Sequence, residues 1–233
     1  MMKVYSRRQL MMEKSRRFSL LYHWEASDGI VNNQWIDRRK GYAFTKNGSP
    51  IVMTLSGYEV MRTNYDDFFK VNLNSPALNM GSEWMIAIEF IISVFPTDKA
   101  TYLLDFGSLG NAVHAFGIYV NKNKMLGVNV KLNGNSTTFS PPTTPVGFVE
   151  HKMSTIIFGA EPYDSTYNNI YTIAEGIKTS ASSLPTIANC RFNGNFRSAN
   201  GFFGRGWDNT ASYQSKSYKY IKSIKIYKDN KKR

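Results

Sequence analysis

Residues 84–95 read WMIAIEFIISVF. The even positions, Trp84, Ile86, Ile88, Phe90, Ile92 and Val94, are all apolar, while the odd ones admit Glu89 and Ser93. Successive side chains of a strand point to opposite faces, so this period of two predicts a β-strand with one buried face. A membrane-spanning helix needs about 20 consecutive apolar residues. This stretch is the chain's best candidate for one. It is too short and carries Glu89, so no membrane span is expected.

The same pattern recurs on both sides. Phe116, Ile118 and Val120 alternate, as do Leu126, Val128, Val130 and Leu132, and between them Asn121–Lys124 (NKNK) reads as a hairpin turn. Further strands are predicted near 18–24, 51–55, 58–62, 101–106, 153–159, 169–174, 202–204 and 218–227. Residues 133–147 read as a loop, because PPTTP at 141–145 cannot pair regularly. Residues 189–217 are rich in Gly and Asn and give no clear strand pattern. Helical periodicity is nearly absent, with Ser6–Arg17 the one candidate. Many short strands and few helices predict an all-β fold, an antiparallel two-sheet jelly-roll sandwich with a short N-terminal arm. Sandwiches of about 200–250 residues fold as one domain, and the 233 residues here suit that size.

Charge divides the chain further. Residues 1–17 carry six basic side chains against one acid, a net of +5, and residues 216–233 carry eight against one, a net of +7. The whole chain is +12, so the 198 residues between are neutral. This predicts a basic arm over 1–17, a jelly-roll domain over 18–228 and a basic tail over 229–233. A neutral body argues against a broad nucleic-acid-binding face. The closing stretch KYIKSIKIYKDNKKR (219–233) interleaves Ile221, Ile224, Ile226 and Tyr227 with lysines, so it reads as a strand whose lysines face water. Cys190 is the only cysteine and cannot form an internal disulfide. The charged N-terminus shows no secretory signal pattern.

Several stretches together resemble a known family. LYHWEASDGIVNNQWIDRRKGYAFTKNG (21–48), with its Trp35-Ile36-Asp37 element, is similar to the opening of laminin G-like domains of the concanavalin A-like lectin/glucanase superfamily. FGIYVNKNKMLGVNV (116–130) resembles their central hairpin, HKMSTIIF (151–158) and NIYTIAEG (169–176) two following strands, and YIKSIKIY (220–227) the closing strand. The resemblance implies a jelly roll of two antiparallel sheets over residues 18–228. It also implies that calcium is the one metal to look for, with Asp37, Asp105, Asp164 and Asp208 as candidate donors. No other cofactor is expected.

Catalytic patterns are missing. Retaining and inverting hydrolases place two carboxyls across the scissile bond, and the superfamily's enzymes carry them alternating along one strand. Here Glu89 stands alone, and Asp66 and Asp67 are adjacent, so on a strand they would face opposite ways. His23, His114 and His151 are scattered, with no zinc-binding spacing. NGFFGRGW (200–207) has spaced glycines but no phosphate-loop Lys-Ser/Thr, so it reads as a turn. The chain is therefore expected not to be an enzyme, with a glycan-degrading hydrolase or lyase as the alternative.

Sugar binding needs flat aromatics beside planar amides and carboxylates. Two polar loops offer both: 204–214, with Trp207, Asp208, Asn209 and Tyr213, and 160–169, with Tyr163, Asp164 and Tyr167. Trp24, Trp35 and Trp84 are assigned to packing. The expected function is a non-catalytic structural or binding module. Its arm, through Arg7, Arg8, Arg16 and Arg17, would dock on other virion proteins, and its loops would meet cell-surface glycans. Such a module resembles phage virion proteins, capsid decorations or fibre parts, assembled in the host cytoplasm. A free lectin and a salt-sensitive nucleic-acid-binding protein are the remaining alternatives.

Overall fold

A computed structural model of the chain describes residues 18–71, 78–79, 84–95, 97–106, 115–132, 135–139, 147–162, 168–180, 195–196, 201–204 and 215–229. The strands are β1 Phe18–Glu25, β2 Gln34–Ile36, β3 Ala43–Asn47, β4 Ile51–Leu55, β5 Tyr58–Thr63, β6 Phe68–Val71, β7 Leu78–Asn79, β8 Trp84–Ile92 and β9 Thr101–Phe106. They continue as β10 Ala115–Val120, β11 Leu126–Leu132, β12 Asn135–Phe139, β13 Ser154–Pro162, β14 Asn168–Ala174, β15 Ile177–Ser180, β16 Asn195–Phe196, β17 Gly201–Phe203 and β18 Lys219–Asp229. Every pairing between them is antiparallel. One sheet runs β15-β14-β13-β8-β18-β5-β4, with β1 also pairing β18. The other runs β12-β11-β10-β9-β17-β6-β3-β2, and β16 pairs β7 apart from both. The expected all-β antiparallel sandwich is the observed architecture.

The core lies between the two large sheets. The even row of β8, Trp84 to Ile92, faces it with Ile156 and Phe158 of β13 and Ile221, Ile224 and Ile226 of β18. From the opposite sheet come Phe44, Phe116, Ile118 and Val128. Aromatic rings bridge the layers: Trp84 lies 6.0 Å from Phe116, and Trp24 of β1 lies 5.1 Å from Phe44. Trp24, Trp35 and Trp84 are all fully buried, as their assignment to packing requires.

The hairpins follow local chemistry. Ser56 and Gly57, both at positive φ (52° and 79°), join β4 to β5 as a two-residue turn matched to strand twist. At Asn121–Lys124 the Asn121 side chain accepts hydrogen bonds from the Asn123 and Met125 amides, at 2.9 and 3.1 Å.

Several expectations need correction. The odd row of β8 is buried too, because Met85 and Ala87 join Phe18, Ile157, Tyr171 and Ile173 in a second apolar cluster on the sheet's other face. Val94 lies beyond the end of β8 and is 56% exposed. Strand β12 falls inside the stretch read as a loop, 133–147, where its Ser-Thr-Thr run gave no apolar alternation. Asp66 and Asp67 occupy a turn, their amides donating to the Asn64 side chain, so the strand rule does not govern them. His151 is likewise an exposed turn residue with φ 60°, ahead of β13.

The lysines of β18 do not simply face water. Lys219 is 1% exposed and donates to the Gly204 carbonyl. Lys222 and Lys225 both reach Glu89. Among the lysines of β18 only Lys228 is exposed.

Candidate functional site

The sugar-binding candidates Tyr163, Asp164, Tyr167, Trp207, Asp208, Asn209 and Tyr213 lie outside the described residues. So do the arm residues Arg7, Arg8, Arg16 and Arg17. The structure instead draws attention to a groove that the sequence reading did not single out.

It is built on the segment between β1 and β3. Trp24 Nε1 donates to the Tyr42 carbonyl at 3.1 Å, and Trp35 Nε1 to the Glu25 carbonyl at 3.0 Å. Asp37, 2% exposed, accepts from the His23 amide through one oxygen and from the Lys40 amide, at 2.6 Å, through the other. Arg38 pairs bidentately with Asp28, Nε to Oδ2 at 2.5 Å and Nη2 to Oδ1 at 2.6 Å. These bonds hold the 26–33 loop at the sandwich edge. Its tip is a two-residue turn: Val31 and Gln34 exchange backbone hydrogen bonds at 2.9 and 2.8 Å, around Asn32 and Asn33 with φ of 50° and 62°. Asparagine tolerates that left-handed conformation better than most residues, which accounts for the pair. The arrangement leaves both amide side chains exposed.

Across from this turn, β4 begins. Between them opens a groove of about 580 Å³, within the usual range for small-ligand sites. Ile30 and Val52, both packed against the core, are part of its lining, and Pro50 and Ile51 extend its apolar side. Asn32, Asn33 and Lys46 supply the polar groups. Lys46 reaches the groove by strand parity. Phe44 of β3 is buried, Thr45 and Asn47 are exposed, and Lys46 shares the inward face of Phe44 at the strand's end. The lining contains no carboxyl, imidazole or thiol group, and its one ionisable side chain is Lys46.

The other cluster of ionisable groups lies on the outer face of the β1–β18–β8 strands. Glu25, Ser223 and Glu89 stand opposite one another across three strands. Glu89 Oε2 accepts from Ser223 Oγ at 2.8 Å and meets Lys222 Nζ at 3.3 Å and Lys225 Nζ at 3.6 Å. Glu25 Oε2 lies 2.8 Å from His23 Nε2. Two strand spacings separate the carboxylates by roughly 9–10 Å, the wide end of an inverting glycosidase pair. The electrostatics do not suit Glu25 to act as the acid of such a pair. Burial, the largest effect on Glu25, pushes its pKa up, but the His23 hydrogen bond and the Lys225, His23 and Lys222 charges together bring it below the ordinary value. A general acid needs the reverse.

A pH dependence follows. Glu25 titrates lower in the folded chain than in the unfolded one, so its stabilisation is complete above the ordinary glutamate range. It is lost as pH falls through the folded value. Thermal unfolding from pH 7 to 3 should show a decline in Tm starting near pH 4.5, and Glu25→Gln should flatten part of that decline. An identical slope in the variant would refute the assignment.

Among the described residues no three His, Cys, Asp or Glu side chains gather as a metal site. Of the calcium candidates, Asp37 is occupied by backbone amides, Asp105 is buried in β9, and Asp164 and Asp208 lie outside the described residues.

No protein-family model and no curated protein matches the sequence. Solved structures share the fold. Domain 4 of a GH43 extracellular arabinanase from Geobacillus stearothermophilus, in complex with arabinotriose, superposes with a TM-score of 0.57 at 14% identity, over 91% of this chain and 94% of that domain. The binding domain of botulinum neurotoxin DC, in complex with SialylT, gives 0.58 at 12% identity, over 91% of this chain and 48% of that one. Trypanosoma rangeli sialidase, in complex with the inhibitor DANA, gives 0.55 at 12% identity, over 91% and 31%. The chain therefore spans nearly all of the arabinanase domain, about half of the neurotoxin binding domain and about a third of the sialidase. At these identities the likeness shows a shared all-β sandwich fold, found in enzymes and in binding domains alike.

Proposed function

We propose that this chain is a non-catalytic carbohydrate-binding β-sandwich, with the groove between the 26–33 loop and the start of β4 as its sugar site. The observation that carries the reading is the groove's composition. An aliphatic side of Ile30, Pro50, Ile51 and Val52 lies with the exposed amides of Asn32 and Asn33, and Lys46 is the one ionisable side chain among them. A pyranose or furanose ring has the matching division into a C–H face and a rim of hydroxyls. The arabinanase domain solved with arabinotriose supports the reading, since it shares this fold over 94% of its length.

A single open site of this kind binds at about millimolar Kd, near −4 kcal/mol, and needs repetition to act. A virion surface supplies many copies. The proposal therefore places the chain there, assembled in a host cytoplasm, with residues 1–17 as the element that docks on other virion proteins. The split between a neutral body and basic ends supports this. Deleting residues 2–17 should abolish incorporation into particles, and unchanged incorporation would remove the docking role.

A hydrolase would instead release reducing ends from a polysaccharide, and none are expected. A nucleic-acid-binding role is disfavoured because Lys222 and Lys225 are held by Glu89, and Lys219 is buried.

The direct test is a broad glycan array with the full chain and with Ile51→Ser. Ile51 is 41% exposed, so the change spares the core while cutting back the apolar side. Losing about 1 kcal/mol of apolar contact should weaken binding about fivefold. Binding that the variant leaves untouched would move the sugar site away from this groove.

A further inference from the structure

We infer that the groove selects saccharides bearing an anionic group, and that Lys46 is the residue that reads it. This rests on the carbohydrate-binding proposal and narrows its ligand class. Sites for neutral sugars commonly use a carboxylate, which accepts hydrogen bonds from two hydroxyls at once. This lining has none: its polar groups are the Asn32 and Asn33 amides and one ammonium. The single full charge in the groove is therefore positive, and among the described residues no carboxylate pairs with it.

The placement of Lys46 strengthens the argument. It lies on the inward face of β3, two residues beyond the fully buried Phe44, and shares the groove with core-packed Ile30 and Val52. A lysine at such a position runs its methylene stem along apolar surface and presents its ammonium at the mouth. Its backbone is fixed as well, since the Lys46 amide donates to the Asn33 carbonyl at 2.7 Å. The cation thus belongs to the same groove as the amide-bearing turn, on a partly buried residue beside apolar groups, where a carboxylate or sulfate is attracted more strongly than at an open surface. The arrangement gives one charge contact beside two amides and an aliphatic side, the complement of an acidic sugar ring or a sulfate ester.

An inward-facing lysine near a sheet edge also discourages edge-to-edge aggregation. The two roles separate experimentally. The full-length chain would be titrated with lactose, sialyllactose, a glucuronic-acid-terminated disaccharide and a 3-O-sulfated lactose, each at low and high salt. The same series would be run on Lys46→Met and Lys46→Arg. The inference expects at least one anionic probe to bind about tenfold or more tightly than lactose, and the advantage to shrink at high salt. Lys46→Met should bring the anionic probe to the lactose level, and Lys46→Arg should retain most of the preference. The sialyl and glucuronyl arms against the sulfated arm separate carboxylate from sulfate recognition. Lactose binding as tight as the anionic probes, or an anionic preference that survives Lys46→Met, would overturn the inference while leaving carbohydrate binding intact. Failure of every saccharide would overturn both.

Discussion

Replacing Trp24 by alanine is expected to lower the free energy of unfolding by about 3–5 kcal/mol, the range for removing a large aromatic from a packed core. Trp24 has no exposed surface. It stacks on Tyr22 at 5.7 Å and meets Tyr42 and Phe44 edge-on at 5.8 and 5.1 Å. Those rings come from both sheets, so the cavity would open between the layers and not along one of them. The indole N–H also donates to the Tyr42 carbonyl. Without it that carbonyl keeps its bond from the Asp37 amide at 2.8 Å, so the lost hydrogen bond adds little beside the cavity. Trp24→Phe keeps most of the volume and should cost about half as much. Urea denaturation followed by far-ultraviolet circular dichroism gives both values. A loss under about 1 kcal/mol for the alanine variant would mean that the aromatic cluster is not a keystone. The variant should also weaken glycan binding beyond its effect on stability, because the same tryptophan anchors the segment that carries Asn32 and Asn33.

Glu89→Ala is the second large effect, at roughly 2–4 kcal/mol. The Glu89 side chain is 8% exposed and lies between Lys222 and Lys225, which are 28% and 21% exposed. Removing it leaves two half-buried ammonium groups beside each other, with Ser223 deprived of its acceptor. Partial exposure of the lysines lets water recover some of the loss, which holds the value below that of a fully buried pair. Glu89→Gln keeps an acceptor for Ser223 but not the charge, and should fall between. Changing Glu89, Lys222 and Lys225 together to methionine removes the charges as a set and should cost less than Glu89→Ala alone. If the triple change costs more, the network stabilises the fold beyond balancing its own charges. A polysaccharide-hydrolysis assay on Glu89→Ala tests the enzymatic alternative at the same time. No turnover is expected in either form.

The features that could be read from the sequence depend on periodicity. The even row of Trp84–Ile92 and the hairpin residues Phe116 to Val128 repeat every two residues and face the core, as do Ile224 and Ile226 of β18, while a register shift brings Ile221 to the same side. What escaped was set by pairing partners far away in the chain. Nothing local shows that Met85 and Ala87 will be covered on their own face, because Phe18, Ile157, Tyr171 and Ile173 come from three other strands. Nor does the lysine row of 219–228 show that Glu89, more than a hundred residues earlier, will hold two of its members. Short strands such as β2, β3 and β6 have too few residues to display a period. The groove was partly legible. Asn32-Asn33, between Val31 and Gln34, is a turn signature, but that the turn would face β4 and Lys46 is a property of the assembled sheets. The aromatic loops 160–169 and 204–214, which carried the original sugar-binding expectation, fall largely outside the described residues, so they stand as proposals beside the groove.

The first and last described strands are neighbours: Phe18 pairs with Asp229, and β18 also joins β8 to β5. During synthesis, therefore, the larger sheet cannot close until β18 has left the ribosome. Strands β1, β5 and β8 wait with open edges for a partner made about 130–200 residues later. Folding should be slow for a domain of this size, since so much pairing spans the whole polypeptide. A chain stopped before Lys219 would lack the strand that holds the centre of that sheet. The interval before completion is when unpaired edges are most open to association with other chains. Production at lower temperature, or with chaperones in excess, should accordingly raise the yield of folded protein more than any single stabilising substitution.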